Sequence, residues 1–329
     1  MPVSVVMPVL NEERHLAEAV RAVLDQRYAG PIEVALALGP SGDGTDEVAE
    51  RLHQQDDRVV LVRNPSGRTP DALNAAVAAT SSPVVVRVDG HGVLDPDYVA
   101  TAVDLLRQTG AANVGGVMDA EGSTPFEQAV AAAMTSVLGV GAARFHVGGE
   151  AGPADTVYLG VFRREWLRHV GGYDPEFVRA QDWEMNHRIR QAGGLVWFSP
   201  RLRVSYRPRS TVRALARQYR DYGRWRRVVS RTHSGTVNPR YLAPPLTLLG
   251  IVGGAVVGVV VTPWGFVLPA GYVGVVLLGT ALAGRGTRLP LRARALLPIV
   301  LPTMHLSWGW GFLTSPASLV PHGEVPESE

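Results

Sequence analysis

From Leu246 to Ala283 the sequence contains no charged residue. That is close to twice the roughly 20 apolar residues a helix needs to cross a bilayer. The stretch therefore predicts two spans, with Thr262-Pro263-Trp264-Gly265 as the turn between them. Arg285, Arg288, Arg292 and Arg294 fill the loop that follows, and Ala295 to Leu313 is long enough for a third span. Pro298 and Pro302 lie inside that segment, and prolines there suit a re-entrant or interfacial helix equally well. Excess arginine marks the cytoplasmic side of a membrane. This turns the first hairpin outward and keeps what precedes it in the cytoplasm, at the plasma membrane. Met1 to Leu10 agrees, because it has no basic start and leads directly into a polar helix, unlike a signal peptide.

Just before the apolar region the character reverses. Arg201 to Arg240 holds twelve arginines and one acid, Asp221. Between Thr211 and Val229, Arg213, Arg217, Arg220, Arg224 and Arg227 recur at helical spacing, with Leu215, Tyr219, Tyr222 and Trp225 interleaved. A basic amphipathic helix next to membrane segments reads as lying on anionic membrane lipid rather than on nucleic acid. The sequence has no cysteine, and all its basic residues other than histidine are arginine. Disulfides, thiolate metal sites, cysteine nucleophiles, lysine Schiff bases and P-loop lysines are thereby excluded.

Before this basic stretch, short β-branched runs alternate with helical patterns. Strands are expected at Pro2 to Met7, closed by Pro8, and at Ile32 to Leu38, Arg58 to Arg63, Val84 to Val88, Asn113 to Met118, Asp155 to Arg163 and Leu195 to Phe198. Helices are expected between them, including Val93 to Gln108, Phe126 to Arg144 as a possible cover for a site, and Gln181 to Ala192. The alternation predicts an α/β domain, a Rossmann-like, mostly parallel sheet with helices on both faces.

Ligands of such sheets bind beyond the carboxyl ends of the strands. The valine-rich run ends in Asp89-Gly90-His91-Gly92. One carboxylate and one imidazole there could hold a divalent cation and, through it, a diphosphate. A plain strand-to-turn junction uses Asp and Gly as well. Gly39 to Thr45 joins a strand to a helix, so its backbone N–H groups could meet an anion. It has neither the Walker nor the G-x-G-x-x-G pattern, and the same residues make an ordinary turn. Asp182 opens a helix either as a dipole-favoured first-turn acid or as a general base facing an acceptor. Trp183 beside it suits core packing or sugar stacking.

Several motifs occur in one order: Pro8 followed by Asn11-Glu12, Ser41-x-Asp43-Gly44-Thr45, Asn64-x-x-Gly67 with Ala72-Leu73-Asn74, Asp89-Gly90-His91, Gly171-Gly172-Tyr173-Asp174, and Gln181-Asp182-Trp183-Glu184. The set resembles the family 2 inverting glycosyltransferases of GT-A fold, and among them the membrane-anchored enzymes of the succinoglycan-biosynthesis type, over about Val3 to Trp225. The resemblance implies a nucleotide-sugar donor side built from Pro8, Asn11, Glu12, Ser41, Asp43, Asn74, Asp89 and Gly90. Arg68 falls near a position where the family often has a basic nucleotide contact. Asp89 and His91 occupy the metal and diphosphate motif, usually Asp-x-Asp. With an imidazole replacing one acid, Mn²⁺ is tolerated better than Mg²⁺. Asp182 matches the family's catalytic base, with Gln181 and Trp183 beside it on the acceptor or diphosphate side. Gln218 and Arg224-Trp225 resemble a stretched Gln-x-x-Arg-Trp motif that closes over the diphosphate. Leu38-Gly39 stands where the family usually has two acids, so a UDP-sugar is the donor only by default.

The expected organisation is a GT-A catalytic domain over 1–205, a basic interface region over 206–241, two or three membrane helices over 242–314, and an acidic tail over 315–329. The expected activity is inverting, metal-assisted transfer of a sugar to a hydroxyl of a lipid-linked or cell-envelope glycan acceptor. Two rivals stand beside it. One is a non-catalytic, membrane-bound nucleotide-sugar-binding protein, favoured by Leu38, Gly39 and His91; the other is a nucleotidyltransferase, which would release pyrophosphate.

Overall fold

The β-branched runs form strands, the central ones Val3–Val9, Ile32–Leu38 and Val84–Arg87 buried on both faces, and the alternation with helices continues to Tyr206. A computed structural model describes residues 1–283 and 289–320; Arg285, Arg288 and the acidic tail beyond Val320 lie outside the described residues. The elements in chain order are β1 (Val3–Val9), α1 (Leu16–Leu24), β2 (Ile32–Leu38), α2 (Thr45–Gln55), β3 (Val59–Arg63), α3 (Thr69–Ala78), β4 (Val84–Arg87), β5 (Val93–Leu94), α4 (Tyr98–Thr109) and β6 (Asn113–Ala120). Next come α5 (Pro125–Met134), α6 (Val137–Val140), α7 (Arg144–Val147), β7 (Gly152–Pro153), β8 (Tyr158–Arg163), α8 (Arg164–His169), α9 (Gln181–Gln191) and β9 (Val196–Tyr206). The chain then continues through α10 (Val212–Thr232), α11 (Pro239–Val260), α12 (Val267–Ala283), α13 (Leu291–Arg294) and α14 (Leu297–Leu313).

The strands form one sheet in the order β3-β2-β1-β4-β8-β6-β9-β5, with β7 also on β9. Strands β3, β2, β1 and β4 are parallel. The β4–β8, β6–β8, β5–β9 and β7–β9 ladders are antiparallel, so the sheet is mixed. The chain leaves β1 for β2 on one side and returns through α3 to β4 on the other. That reversal is a topological switch point, and the crevice it creates lies beyond the carboxyl ends of β1 and β4.

Each face of the sheet buries its own apolar layer. Val84, Val86 and Val88 face Leu16, Val20 and Val23 of α1. Val85 faces the other way, into a layer shared with Leu73 of α3, Tyr173, and Met185 and Ile189 of α9. Each such side chain contributes roughly 1.5–3 kcal/mol by leaving water. Side chains alternate along a strand, so Arg87 points with Val85 toward the α9 layer. This parity brings a strand residue within reach of the helix that carries Asp182.

Four details differ from the sequence expectation. Pro8 lies inside β1, opposite Ala37. The β4 ladder has ended by Val6, so a residue without an N–H is tolerated there. Strand β9 runs on past Phe198 to Tyr206 because Leu202, Val204 and Tyr206 are buried while Arg201 and Arg203 face outward. The Val93 stretch opens as β5 before α4 begins at Tyr98. Phe126 to Arg144 is not one helix: α5 ends at Met134, α6 is a separate turn closed by Gly141 at φ +69°, and α7 begins only at Arg144.

The chain divides into two compact units: 1–119 with 143–206, and 120–142 with the chain from Arg207 on. The sequence reading keeps 120–142 in the first domain, whereas the structure groups it with the second. There α5, opened by a Thr124–Glu127 capping box, packs on α13 and α14. Helix α10 packs on α14 where glycines let the backbones meet. A Cβ on Gly223 would lie 2.0 Å from the Trp308 carbonyl oxygen, and one on Gly311 would lie 2.0 Å from that of Arg220. Two helices, Pro239–Val260 and Pro263–Ala283, are long and apolar enough to cross a membrane. Their aliphatic side chains face outward, with Val259 77% and Leu278 60% exposed. Helix α14 instead buries Leu297, Val300, Met304 and Phe312. Its His305 bonds to the Leu138 carbonyl at 2.8 Å and the Tyr272 hydroxyl at 3.1 Å.

Candidate active site

Arg87 ends β4 and is 4% exposed. A buried guanidinium needs a counter-charge, and this one has two. Its Nη2 donates to Asp89 Oδ1 at 3.0 Å, and its Nη1 donates to Asp182 Oδ1. Burial alone would push the Asp89 carboxyl up, but Arg87, with His91 and Arg179 nearby, outweighs it and holds the group below its ordinary value. Burial likewise works against the Arg87 charge, and Asp89 more than restores it. Tyr173 lies within electrostatic reach of both groups, and burial pushes its phenol up to about 12. Neither Arg87 Nε nor the Tyr173 hydroxyl has a hydrogen-bond partner among the described residues.

Asp182 is in the first turn of α9, but the helix begins after Ala180, which is left-handed at φ 60°, and has no side-chain cap. The carboxylate bonds to Arg87, so capping does not explain it. Two clamps fix α9 and the turn before it. Buried Glu184 receives Arg188 Nε at 2.6 Å and Nη2 at 2.7 Å, and Arg188 also donates to the Gly172 carbonyl at 2.8 Å and to that of Val170. Asn74 donates to the Tyr173 carbonyl at 2.7 Å and accepts from the Tyr173 N–H at 2.8 Å. Gly172, at φ +75°, is needed at this point, since a Cβ would come 2.8 Å from Asn74 Oδ1. The sequence expectation places Asn74 on the donor side; the structure shows its amide engaged inside the protein. Trp183 is half-buried and stacks on His187 at 5.1 Å and 12°, while Gln181 is half-buried beside it.

Across the switch point the β1 and β4 loops meet. His91 Nδ1 lies 2.7 Å from Glu12 Oε1, and Gly90 makes room, because a Cβ there would sit 2.9 Å from Glu12 Cγ. The β1 and β2 loops are also knit together. The Asn11 N–H donates to Ser41 Oγ at 3.1 Å, the Gly42 N–H donates to Asn11 Oδ1 at 2.8 Å, and the Glu12 N–H donates to Thr45 Oγ1 at 2.8 Å. Asp43 accepts from both the N–H and the hydroxyl of Thr45, and the hydroxyl bond above all holds its carboxyl below the ordinary value. The Ser41, Gly42 and Thr45 amides thus donate within the chain and interlock the Gly39–Thr45 turn.

The structure therefore gathers Asp89, Gly90, His91, Glu12, Asn11, Ser41 and Asp43 at one end of the sheet and joins Asp89 to Asp182 through Arg87. Pro8 is in β1 beneath these loops, and Arg68 pairs with Asp71 at 2.9 Å ahead of α3. Gln218, Arg224 and Trp225 lie on α10, in the second unit, where Gln218 donates to the Tyr222 hydroxyl at 3.0 Å. Among the described residues no three of His, Cys, Asp or Glu cluster as metal ligands. Asp89 and His91 are thus two candidate ligands, and a cation beside them would be completed by water or by phosphate oxygens. Arg87 and Arg179 are site residues that the motif reading passes over, and Tyr173 lies in a motif that assigns it no role. Arg87 had a signal, since a charge inside an otherwise valine-only buried strand demands an acidic partner.

The model of the family described as Glycosyl transferase family 2 matches residues 4–171. The succinoglycan biosynthesis protein ExoA of Rhizobium meliloti is 32% identical over 314 residues, covering 94% of this chain and 93% of that one. The chain belongs to glycosyl transferase family 2. A second relative, 22% identical over 94% of the chain and 95% of its own length, is the dolichyl N-acetyl-alpha-D-glucosaminyl phosphate 3-beta-D-2,3-diacetamido-2,3-dideoxy-beta-D-glucuronosyltransferase of Methanococcus voltae. Among solved structures, the mannosyltransferase PcManGT of Pyrobaculum calidifontis, in complex with GDP-Man and Mn²⁺, superposes with a TM-score of 0.58 at 20% identity. The match covers 95% of this chain and 86% of that one, and shows that this family 2 transferase shares its fold. The motifs from Asn11 to Gly171 fall inside the matched family segment, whereas Asp182 and its helix lie beyond it.

Proposed function

We propose that this glycosyltransferase moves a sugar from a nucleoside-diphosphate donor, by default a UDP-sugar, to a hydroxyl of a lipid-linked or cell-envelope glycan acceptor, with inversion. The observation that carries the reading is the Arg87 bridge between Asp89 and Asp182. It sets the strand-end acid of the donor side and the acid of α9 against one group. Arg87 holds one oxygen of Asp182 and leaves the other to accept the proton of the attacking hydroxyl. A single displacement driven by one carboxylate base inverts the anomeric carbon. Asp89, with His91, would hold a divalent cation, Mn²⁺ or Mg²⁺, whose chemistry is to stabilise charge on the departing diphosphate. The relatives' own descriptions support the donor class, the cation and the acceptor class: succinoglycan biosynthesis for one, a dolichyl phosphate-linked sugar for another, and GDP-Man with Mn²⁺ for the solved structure.

The helices Pro239–Val260 and Pro263–Ala283 support membrane association; the proposal adds a multi-pass place in the plasma membrane, with the catalytic unit on the cytoplasmic, arginine-rich side and α10 on anionic lipid. The test is Asp182→Asn. Donor turnover with Mn²⁺ should fall by roughly 10²- to 10⁴-fold, while titrated UDP or GDP binds as it does to the parent. Retention of turnover would remove Asp182 as the base, and release of pyrophosphate would favour a nucleotidyltransferase.

A further inference from the structure

Within the second unit a cavity of about 550 Å³ opens between α10, α11 and α14. One wall is basic, with Arg213, Arg217 and Arg220 from α10. The other is mostly apolar, with Leu248 from α11 and Leu306, Ser307 and Trp310 from α14. The i, i+4, i+7 spacing puts the three guanidinium groups on one helix face. Arg220 has only Asp221 at 4.0 Å; Arg213 and Arg217 form no ion pair among the described residues. Three like charges around one cavity repel one another unless an anion joins them. All three arginines are exposed and open to water; what sets the place apart from an ordinary basic surface is the facing wall with its aliphatic and indole groups, and α11 is one of the two helices long enough to cross a membrane.

We infer that this cavity seats the phosphate or diphosphate headgroup of a membrane lipid, with its apolar chain along Leu248, Leu306 and Trp310. Guanidinium forks match phosphate oxygens and remain charged at any physiological pH. A zwitterionic headgroup does not satisfy three arginines, and a soluble nucleotide, though its base can stack on Trp310, has no chain to follow the aliphatic Leu248 and Leu306. The inference rests on the membrane-associated reading above and goes further by naming the residues that select one lipid from the bilayer.

The test uses the full chain in phosphatidylcholine nanodiscs, with dioleoyl phosphatidic acid carrying brominated acyl chains as the probe. Bromine quenches nearby indoles, and the difference from Trp310→Phe isolates the Trp310 signal. Quenching should saturate with phosphatidic acid, and Arg213→Gln/Arg217→Gln/Arg220→Gln should raise the concentration for half-saturation at least tenfold. The triple lysine variant, which keeps the charge, should recover part of the affinity, and this separates headgroup binding from misfolding. Equal quenching by brominated phosphatidylcholine, or undiminished quenching in the triple glutamine variant, would overturn the assignment. So would inorganic phosphate displacing the probe at equal concentration, which would make the site one for a soluble anion. Donor hydrolysis is read in the same samples. Selective lipid binding without hydrolysis upholds the lipid site while removing the glycosyltransferase reading; hydrolysis without selective binding does the reverse.

Discussion

Asp89 and Asp182 bond to the two terminal nitrogens of one buried guanidinium, that of Arg87. One carboxylate follows β4 and the other opens α9, so the sheet and the helix are locked together at their charged ends. Arg87→Met should cost about 3–5 kcal/mol, because it leaves Asp89 in a desolvated place without its partner. Arg87→Lys keeps a charge but not a fork that reaches both acids. Its melting temperature should fall less than that of Arg87→Met, while kcat for donor turnover still drops by about 10- to 100-fold. A lysine variant with full turnover would mean that bridging is irrelevant to catalysis.

Asn74→Ala removes two hydrogen bonds to the Tyr173 backbone. At about 1 kcal/mol each, net, the loss of stability should be about 2 kcal/mol. Because the clamp positions α9, kcat should decline more than the donor KM rises. The reverse split, a raised KM with kcat intact, would show that Asn74 touches the donor after all.

Gly90→Ala places a methyl group 2.9 Å from Glu12 Cγ. Glu12 must then swing away, opening its 2.7 Å contact with His91. Crowding of this kind costs about 1–3 kcal/mol. The Mn²⁺ concentration that half-saturates donor turnover should shift in Gly90→Ala, while the circular dichroism of the folded protein stays that of the parent. An unchanged metal dependence would separate the Glu12–His91 contact from the cation.

Tyr173 gives an alkaline prediction. Its phenol titrates near 12 in the folded protein against an ordinary value of 10.0. A raised pKa stabilises the fold fully below pH 10 and less and less as pH rises toward 12, because the unfolded chain releases the proton first. By pH 11 the loss should be about 1.4 kcal/mol. Tyr173→Phe should match the parent at pH 7 and exceed its melting temperature at pH 11. Part of the alkaline loss should persist, since burial raises Tyr98 as well.

The parallel half of the sheet was legible because its strands are short, mostly apolar and β-branched runs bounded by turn residues, and the strand-end Asp89 follows from that. Strands β5 and β7, two residues each, have no periodicity to read. Strand β9 was half hidden, because the arginines that alternate with Leu202 and Val204 look like part of the basic stretch that follows. Of the site, the motif order placed Asp182 on its helix, but not the arginine that holds it, since no short motif spans the distance in sequence between β4 and α9. Asn74 and Asp43 bear the residue types expected of ligand contacts; in the structure Asn74 also ties α3 to the Tyr173 backbone, and the exposed Asp43 also holds the Thr45 turn. The pairing of 120–142 with the C-terminal helices had no local signal at all, since it depends on contacts made across most of the chain.

That pairing governs how the protein can be cut. Excision after Tyr206, the natural place to trim away the greasy end for crystallisation or assay, would leave α5 with Ala129, Val130 and Met134 stripped of the α13 and α14 surfaces they pack on. Such a fragment would invite precipitation through its middle rather than its ends. A well-behaved soluble version would need an internal deletion of 120–142 as well, with a flexible bridge from Asp119 to Ala143.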